Sequence, residues 1–408
     1  MAVPGLSSLL TEVETAVGAS RSDAVDAAVK AFRAKAPPLE VIRAAARAVA
    51  THYDRMSGVA PRSLAILGAA ANLTSVMEPR FGALPALQAV AYAAAEKKAR
   101  TPAKPPRVVS GEVTHLGRSF LFAVRAGDVA EAESIFLGMV DEGWERKMAG
   151  DMLFRAALED MGEGGRKLFF AVKSWQLARS LGFKEARTIL RPAVEYLVRG
   201  PRDRSSFETI LGLLGKEWVD LDALSSGGRA LDDAGRSRVT AIASAPSDSA
   251  CIGQSLSILQ DGYAASSIAE GLVVAAARRV LGAKGYDTEA IKRLLFAHAS
   301  RFVLMFSRTS ERLYALFQSA LRVRSPEPSI IADVDRDPAQ RNLDRLANYA
   351  CRDSPSVNEG FNLLLADACT TEFRATQAAP VVMALVKMMD AGPKDLAAFH
   401  SWADLFGP

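Results

Sequence analysis

A chain of 408 residues, 49% hydrophobic and 24% charged, can bury a large core and is too apolar for an intrinsically disordered segment. Its net charge of +4 is small and spread along the chain, which argues against nucleic acid as a partner. No apolar run reaches the length of a membrane span, since the most apolar neighbourhood, Leu272 to Ala283, is interrupted by Arg278 and Arg279.

The start of the chain, Met1 to Leu6, has no basic segment before its brief apolar run, so no signal peptide and a cytoplasmic location are expected. Ser20, with Asp23 three residues on, has the spacing of a capping-box variant. Apolar residues then recur at three- and four-residue spacing, which predicts helices over Val41–His52, Leu64–Met77, Leu84–Lys98, Val129–Val140 and Lys167–Leu181. The same spacing predicts Ser267–Leu281, Glu289–Met305 and Pro380–Met389. Strand-like alternation is scarce, and only Arg107–Ser110 reads as a short extended piece. Gly182, Gly200-Pro201 and Gly392-Pro393 mark helix ends, and Asp287 or Thr288 marks a start. The fold class expected is all-α.

Three stretches read as linkers: Thr101–Arg107, where prolines oppose helix, the Gly/Ser/Asp-rich Ser225–Ser249, and Arg324–Gln340. The second divides the chain into two multi-helical halves, 1–232 and 233–408. The segments around Arg166 and Arg374 share a pattern. Each has an Ala-rich helix, an aspartate (Asp160 or Asp367), a polar break, then an arginine opening a new helix. An irregular helical array with a pseudo-twofold internal repeat is therefore expected, its breaks facing one crevice.

Four stretches carry a resemblance: Leu87–Tyr92, Ala156–Ala171 with its continuation Leu190–Arg202, Phe296–Ala299, and Glu372–Gln377. In order and pattern, over roughly residues 60 to 390, they resemble the questin oxidase-like proteins and related helical modules found beside Rieske domains. The resemblance implies an all-α fold and, in the family pattern, a set of histidines. Here those positions hold Ala91, Arg166, Arg374 and Lys292. Alanine is inert, and arginine serves as neither metal ligand nor base. The resemblance thus implies a diverged member without the histidine site. It would bind a small anionic or aromatic molecule, or a protein partner, in the crevice between halves, with Arg166, Arg374 and Lys292 as ligand-binding residues. The alternative is an oxidoreductase or oxygenase acting on an aromatic or polyketide-like substrate. No cofactor is called for by any motif.

The chain's four histidines are His52, His115, His298 and His400. No two are four residues apart, so no metal site is expected. Glu112 and His115 are spaced as in di-iron helices but lie in a Gly-flanked turn, with no second copy. His298, inside a helix, is the first catalytic candidate. His52, in the polar run His52–Arg55, is the second, although such a run also suits a helix C-terminus. Gly162–Gly165 could offer backbone N–H groups to an anion. Asp160, Asp367 and Glu372 are candidate internal partners for the arginines. Phe169, Phe170 and Trp175 read as core. Ala123–Ala132 reads as a helical hairpin, and Cys251, Cys351 and Cys369 as reduced thiols.

Overall fold

Alanine-rich, period-3.6 sequence folds here into helix after helix. The computed structural model describes residues 5–392 except 56, 78–81, 100, 105, 141–142, 326–351 and 353–358, and omits the side chains of 143–145. His400 and Cys351, and the expected linker beyond residue 325, therefore lie outside the described residues.

In chain order, α1 (Leu6–Gly18), α2 (Ala24–Arg33), α3 (Pro38–His52), α4 (Arg62–Thr74) and α5 (Ala83–Ala95) form the first group. A hairpin follows, α6 (Val113–Ala126) and α7 (Val129–Met139), then α8 (Gly143–Leu158), α9 (Gly162–Ser180) and α10 (Ala186–Arg199). Shorter α11 (Ser205–Lys216), α12 (Leu221–Ser225), α13 (Asp233–Ile242) and α14 (Asp248–Gln260) lead to the long pair α15 (Ala265–Gly282) and α16 (Thr288–Phe306). The described chain ends with α17 (Leu313–Val323), α18 (Phe361–Thr376) and α19 (Ala379–Ala391). The fold is all-α. Among the described residues the β-type pairing is a single bridge, Arg229 with Tyr263.

The two halves share one core that runs without interruption from Val13 to Met389. Helices α4 and α9 of the first half pack on α18 and α16 of the second. Within the first half, close approach depends on missing side chains. A Cβ on Gly68 of α4 would lie 2.7 Å from the Lys173 carbonyl of α9. A Cβ on Gly138 of α7 would lie 1.8 Å from the Val109 carbonyl, so glycine is what lets the extended piece 107–110 lie against α7.

Several local expectations change. Asp232 caps α13, accepting from the Gly235 N–H, so helix intrudes into the expected linker Ser225–Ser249. Ser20 is no cap: it sits at φ 53°, its hydroxyl donates to the Glu96 carbonyl, and Asp23 pairs with Arg21 instead. Glu112 caps α6 by accepting from the N–H groups of Thr114 and His115, which places His115 in a helical first turn. Asp287 caps α16 as expected. The equivalence of Arg166 and Arg374 fails. Regular helical dihedrals resume at Arg166, whereas Arg374 lies in the last turn of α18. The run Thr370-Thr371-Glu372 read as a break continues the helix, which ends only at Gln377 with φ 57°.

Candidate functional site

Helix α9 begins with an unusual turn. Glu163, Gly164 and Gly165 all adopt positive φ, 52°, 71° and 85°. Two of the three are glycine, for which this region is free of steric cost. A Cβ on Gly164 would meet the Arg322 guanidinium at 2.6 Å, and one on Gly165 would meet the Phe296 ring at 2.3 Å. Glu163 tolerates the strained conformation because its carboxylate is held by the Tyr196 hydroxyl at 2.6 Å and Arg166 Nη1 at 3.1 Å. From below, Asp160 fixes the turn. Its Oδ1 accepts from the Gly162 and Asp203 N–H groups, and its Oδ2 from buried Lys167 at 2.6 Å. The backbone anion cradle expected at Gly162–Gly165 is therefore already occupied: the Gly164 and Gly165 N–H groups both bond the Met161 carbonyl.

That turn forms one wall of a cavity of about 590 Å³ bounded by α4, α9, α16, α17 and the start of α18. The volume lies within the roughly 300–1,000 Å³ of small-molecule sites. Phe169, Phe170, Phe296 and Phe361 supply apolar wall, and Arg62, Arg166, Lys292 and Arg322 supply positive charge. Three carboxylates answer the four cations. Glu163 pairs with Arg166, and Glu359 with Arg62. Glu289 serves both Lys292, at 2.6 Å, and Arg322, at 3.0 Å. Burial works to raise the Glu163 pKa, but Tyr196 and Arg166 outweigh it and hold the carboxyl below its ordinary range. Glu289 is held low first by the Lys292 hydrogen bond, against burial, with help from Arg322. All three carboxylates are thus balanced against one more cation than they can match, and among the described residues Arg322 Nε is a buried donor with no partner.

Of the residues expected to bind ligand, Arg166 and Lys292 meet in this cavity. Arg374 does not. It lines a separate hollow of about 310 Å³ beside Asn72, Gln176 and Arg179, because it lies in the final turn of α18 rather than at a helix start. The expected internal partners also pair elsewhere. Asp160 takes Lys167, Asp367 takes Lys173, and Glu372 takes His298 and Arg301.

His298 is 2% exposed and lines neither space. Its Nδ1 lies 2.8 Å from Glu372 and its Nε2 3.2 Å from Lys173 Nζ. The ammonium supplies the proton of the second contact, so the imidazole accepts at Nε2 and carries its own proton on Nδ1. His52 ends α3 with Nδ1 3.3 Å from the Ala99 carbonyl. Its neighbours Tyr53 and Arg55 do more than cap a helix. Tyr53 donates to buried Glu195 at 2.7 Å, and Arg55 bridges Glu133 and Glu195, with Arg191 also on Glu133. Burial first, then the two carboxylates, push the Tyr53 hydroxyl far above its ordinary range. Among the described residues no three His, Cys, Asp or Glu side chains are grouped to hold a metal ion. Among them, too, no helix is long and apolar enough to cross a membrane.

Sequence reading missed the buried charges Lys167, Lys173, Glu133 and Glu195, and the cavity residues Arg62, Glu289 and Arg322. The double glycine before Arg166 was the one visible signal of the cavity turn. Comparison with known proteins adds no kin: no family model, curated protein or solved structure matches the chain. What fold and geometry define is an all-α protein with a basic, phenylalanine-walled cavity at the junction of its halves.

Proposed function

We propose that the protein binds a small molecule with an aromatic body and an anionic group in the cavity between α4, α9, α16, α17 and α18. The observation that carries this reading is the meeting of Arg62, Arg166, Lys292 and Arg322 with a phenylalanine wall in one cavity. Phenyl rings favour a flat apolar ligand body, and guanidinium groups with spare N–H donors favour a carboxylate or phosphate. The stretches that resemble the questin oxidase-like class support the same placement, since 156–171 contributes the glycine turn, Arg166, Phe169 and Phe170. The reading is that of a diverged member in which charge at Arg166 and Lys292 replaces histidine.

Titration of a panel of aromatic carboxylates, such as benzoate, 1-naphthoate and anthraquinone-2-carboxylate, tests it by calorimetry. At least one should bind saturably, and Arg166→Ala combined with Lys292→Ala should weaken it ~10-fold or more while the melting temperature holds. Failure of every member to bind, or binding indifferent to both substitutions, would overturn the reading.

A further inference from the structure

We infer a second binding site, for a small polyhydroxylated anion such as a sugar phosphate, in the hollow lined by Arg179 and Arg374. It is independent of the phenylalanine-walled cavity and rests on different residues.

The floor of this hollow is polar and tightly held. Lys173 Nζ, fully buried, donates to Asp367 Oδ2, to Gln176 Oε1 at 3.0 Å and to His298 Nε2 at 3.2 Å, which uses all three of its protons. Because the ammonium can only donate, it fixes the Gln176 oxygen toward itself. Asn72 Nδ2 then donates to that same oxygen at 3.3 Å and to Asp367 Oδ2 at 3.4 Å. Each of the three floor residues has therefore spent one end and kept the other. Among the described residues the Gln176 amide N–H₂, Asn72 Oδ1 and Asp367 Oδ1 have no hydrogen-bond partner, and all three side chains line the hollow. One donor and two acceptors, one of them a carboxylate oxygen on a side chain that is 1% exposed, are thus presented in set directions.

The rim has the opposite character. Arg179 is exposed and, among the described residues, has no hydrogen-bond or ion-pair partner. Arg374 is exposed and makes one bond, from Nη2 to the Val76 carbonyl at 3.3 Å. Among the described residues no carboxylate pairs with either guanidinium, whereas Asp367 below is already matched by Lys173. A ligand seated here meets two free cations at one end and a donor–acceptor floor at the other. Guanidinium forks suit phosphate or carboxylate. A carboxylate oxygen accepts but cannot donate, so the floor asks for hydroxyl groups rather than a second anion. Phe302 adds one apolar wall for the C–H face of a sugar ring. At about 310 Å³ the hollow is at the small end of ligand sites, which fits a monosaccharide rather than a nucleotide.

Calorimetry at fixed ionic strength with triose, pentose and hexose phosphates tests the proposal, with inorganic phosphate and glucose as controls. At least one sugar phosphate should bind ~10-fold or more tightly than either control. Arg179→Ala and Arg374→Ala, both exposed and so harmless to the fold, should each weaken it by a similar factor, and Asn72→Ala should erase the advantage over inorganic phosphate. Arg166→Ala in the other cavity should leave it unchanged. Three outcomes would overturn the proposal: no saturable binding of any sugar phosphate, affinity equal to that of inorganic phosphate, or affinity unchanged in both arginine variants.

Discussion

Lys173 of α9 and Asp367 of α18 form a buried ion pair, their side chains 0% and 1% exposed. It links a helix of the first half to one of the second, and its partners continue the charge outward. Lys173 reaches His298, His298 reaches Glu372, and Glu372 reaches Arg301, which meets Glu270 nearer the surface. A pair of this kind costs much of its attraction in desolvation, so its net contribution is small while the loss of one member is severe.

That asymmetry gives a measurable cycle. Lys173→Met leaves Asp367 buried without a counter-charge and should destabilise the fold by about 3–5 kcal/mol in urea unfolding. Lys173→Met with Asp367→Leu removes the orphan charge and should recover most of the loss. Additive losses in the double variant would mean the two residues act separately.

The α9 turn separates steric cost from backbone strain. Gly165→Ala meets both, since its φ is 85° and its Cβ would lie 2.3 Å from Phe296. Gly182 has φ 70° and nothing within 4 Å of its Cβ. Gly182→Ala should cost about 1 kcal/mol and Gly165→Ala ~2–4 kcal/mol, with Phe296→Ala partly relieving the latter. Equal costs at the two glycines would show that Phe296 does not press on the turn.

These residues also mark what was legible in the sequence. Helices α3, α4, α9, α15 and α16 could be placed from apolar spacing, because a buried stripe repeats locally. Gly182 and Asp287 could be read because caps are local chemistry. Arg166 and Lys292 share a cavity, whereas Arg374 was misplaced by counting Thr370-Thr371 as a break in a helix that tertiary packing carries through. Lys173 and Asp367 could not be read at all. They are 194 positions apart, and a lysine in a helix looks like a solvated face until its partner is known. The buried Glu133 and Glu195 were hidden for the same reason.

Asp151 of α8 is 8% exposed, with Oδ1 unpartnered. Burial pushes its pKa up to about 6, against the opposing pull of Ser307, Lys147 and Arg308. The folded state therefore binds the proton more tightly than the unfolded chain. Its stabilising effect is complete below the ordinary aspartate range near 4, and is lost as pH rises through 6. Asp151→Asn should be more stable than the parent by up to about 2–3 kcal/mol at pH 8, with the difference shrinking to near zero below pH 4. A pH-independent difference would assign the effect to packing instead of charge.

Cys251 in α14 and Cys369 in α18 are 0% and 1% exposed. Burial pushes the Cys251 thiol up to about 12. Burial also holds the Cys369 thiol well above its ordinary range, helped by the nearby charges of Glu372 and Asp367. Thiolate is the reactive form, so both positions are protected by exclusion and by protonation together. In a Cys351→Ser background, a disulfide reagent at pH 8 should label neither thiol in the folded protein over minutes, and both after denaturation. Labelling then becomes a local stability probe, since Cys369 lies two residues from Asp367 on the same helix. Lys173→Met should speed labelling of Cys369, because α18 loses its buried partner on α9, while Cys251 follows only global unfolding. Fast labelling of Cys369 in the parent would show that α18 opens without breaking the ion pair. Equal acceleration of both thiols in the variant would show that the pair supports the whole fold rather than this one helix.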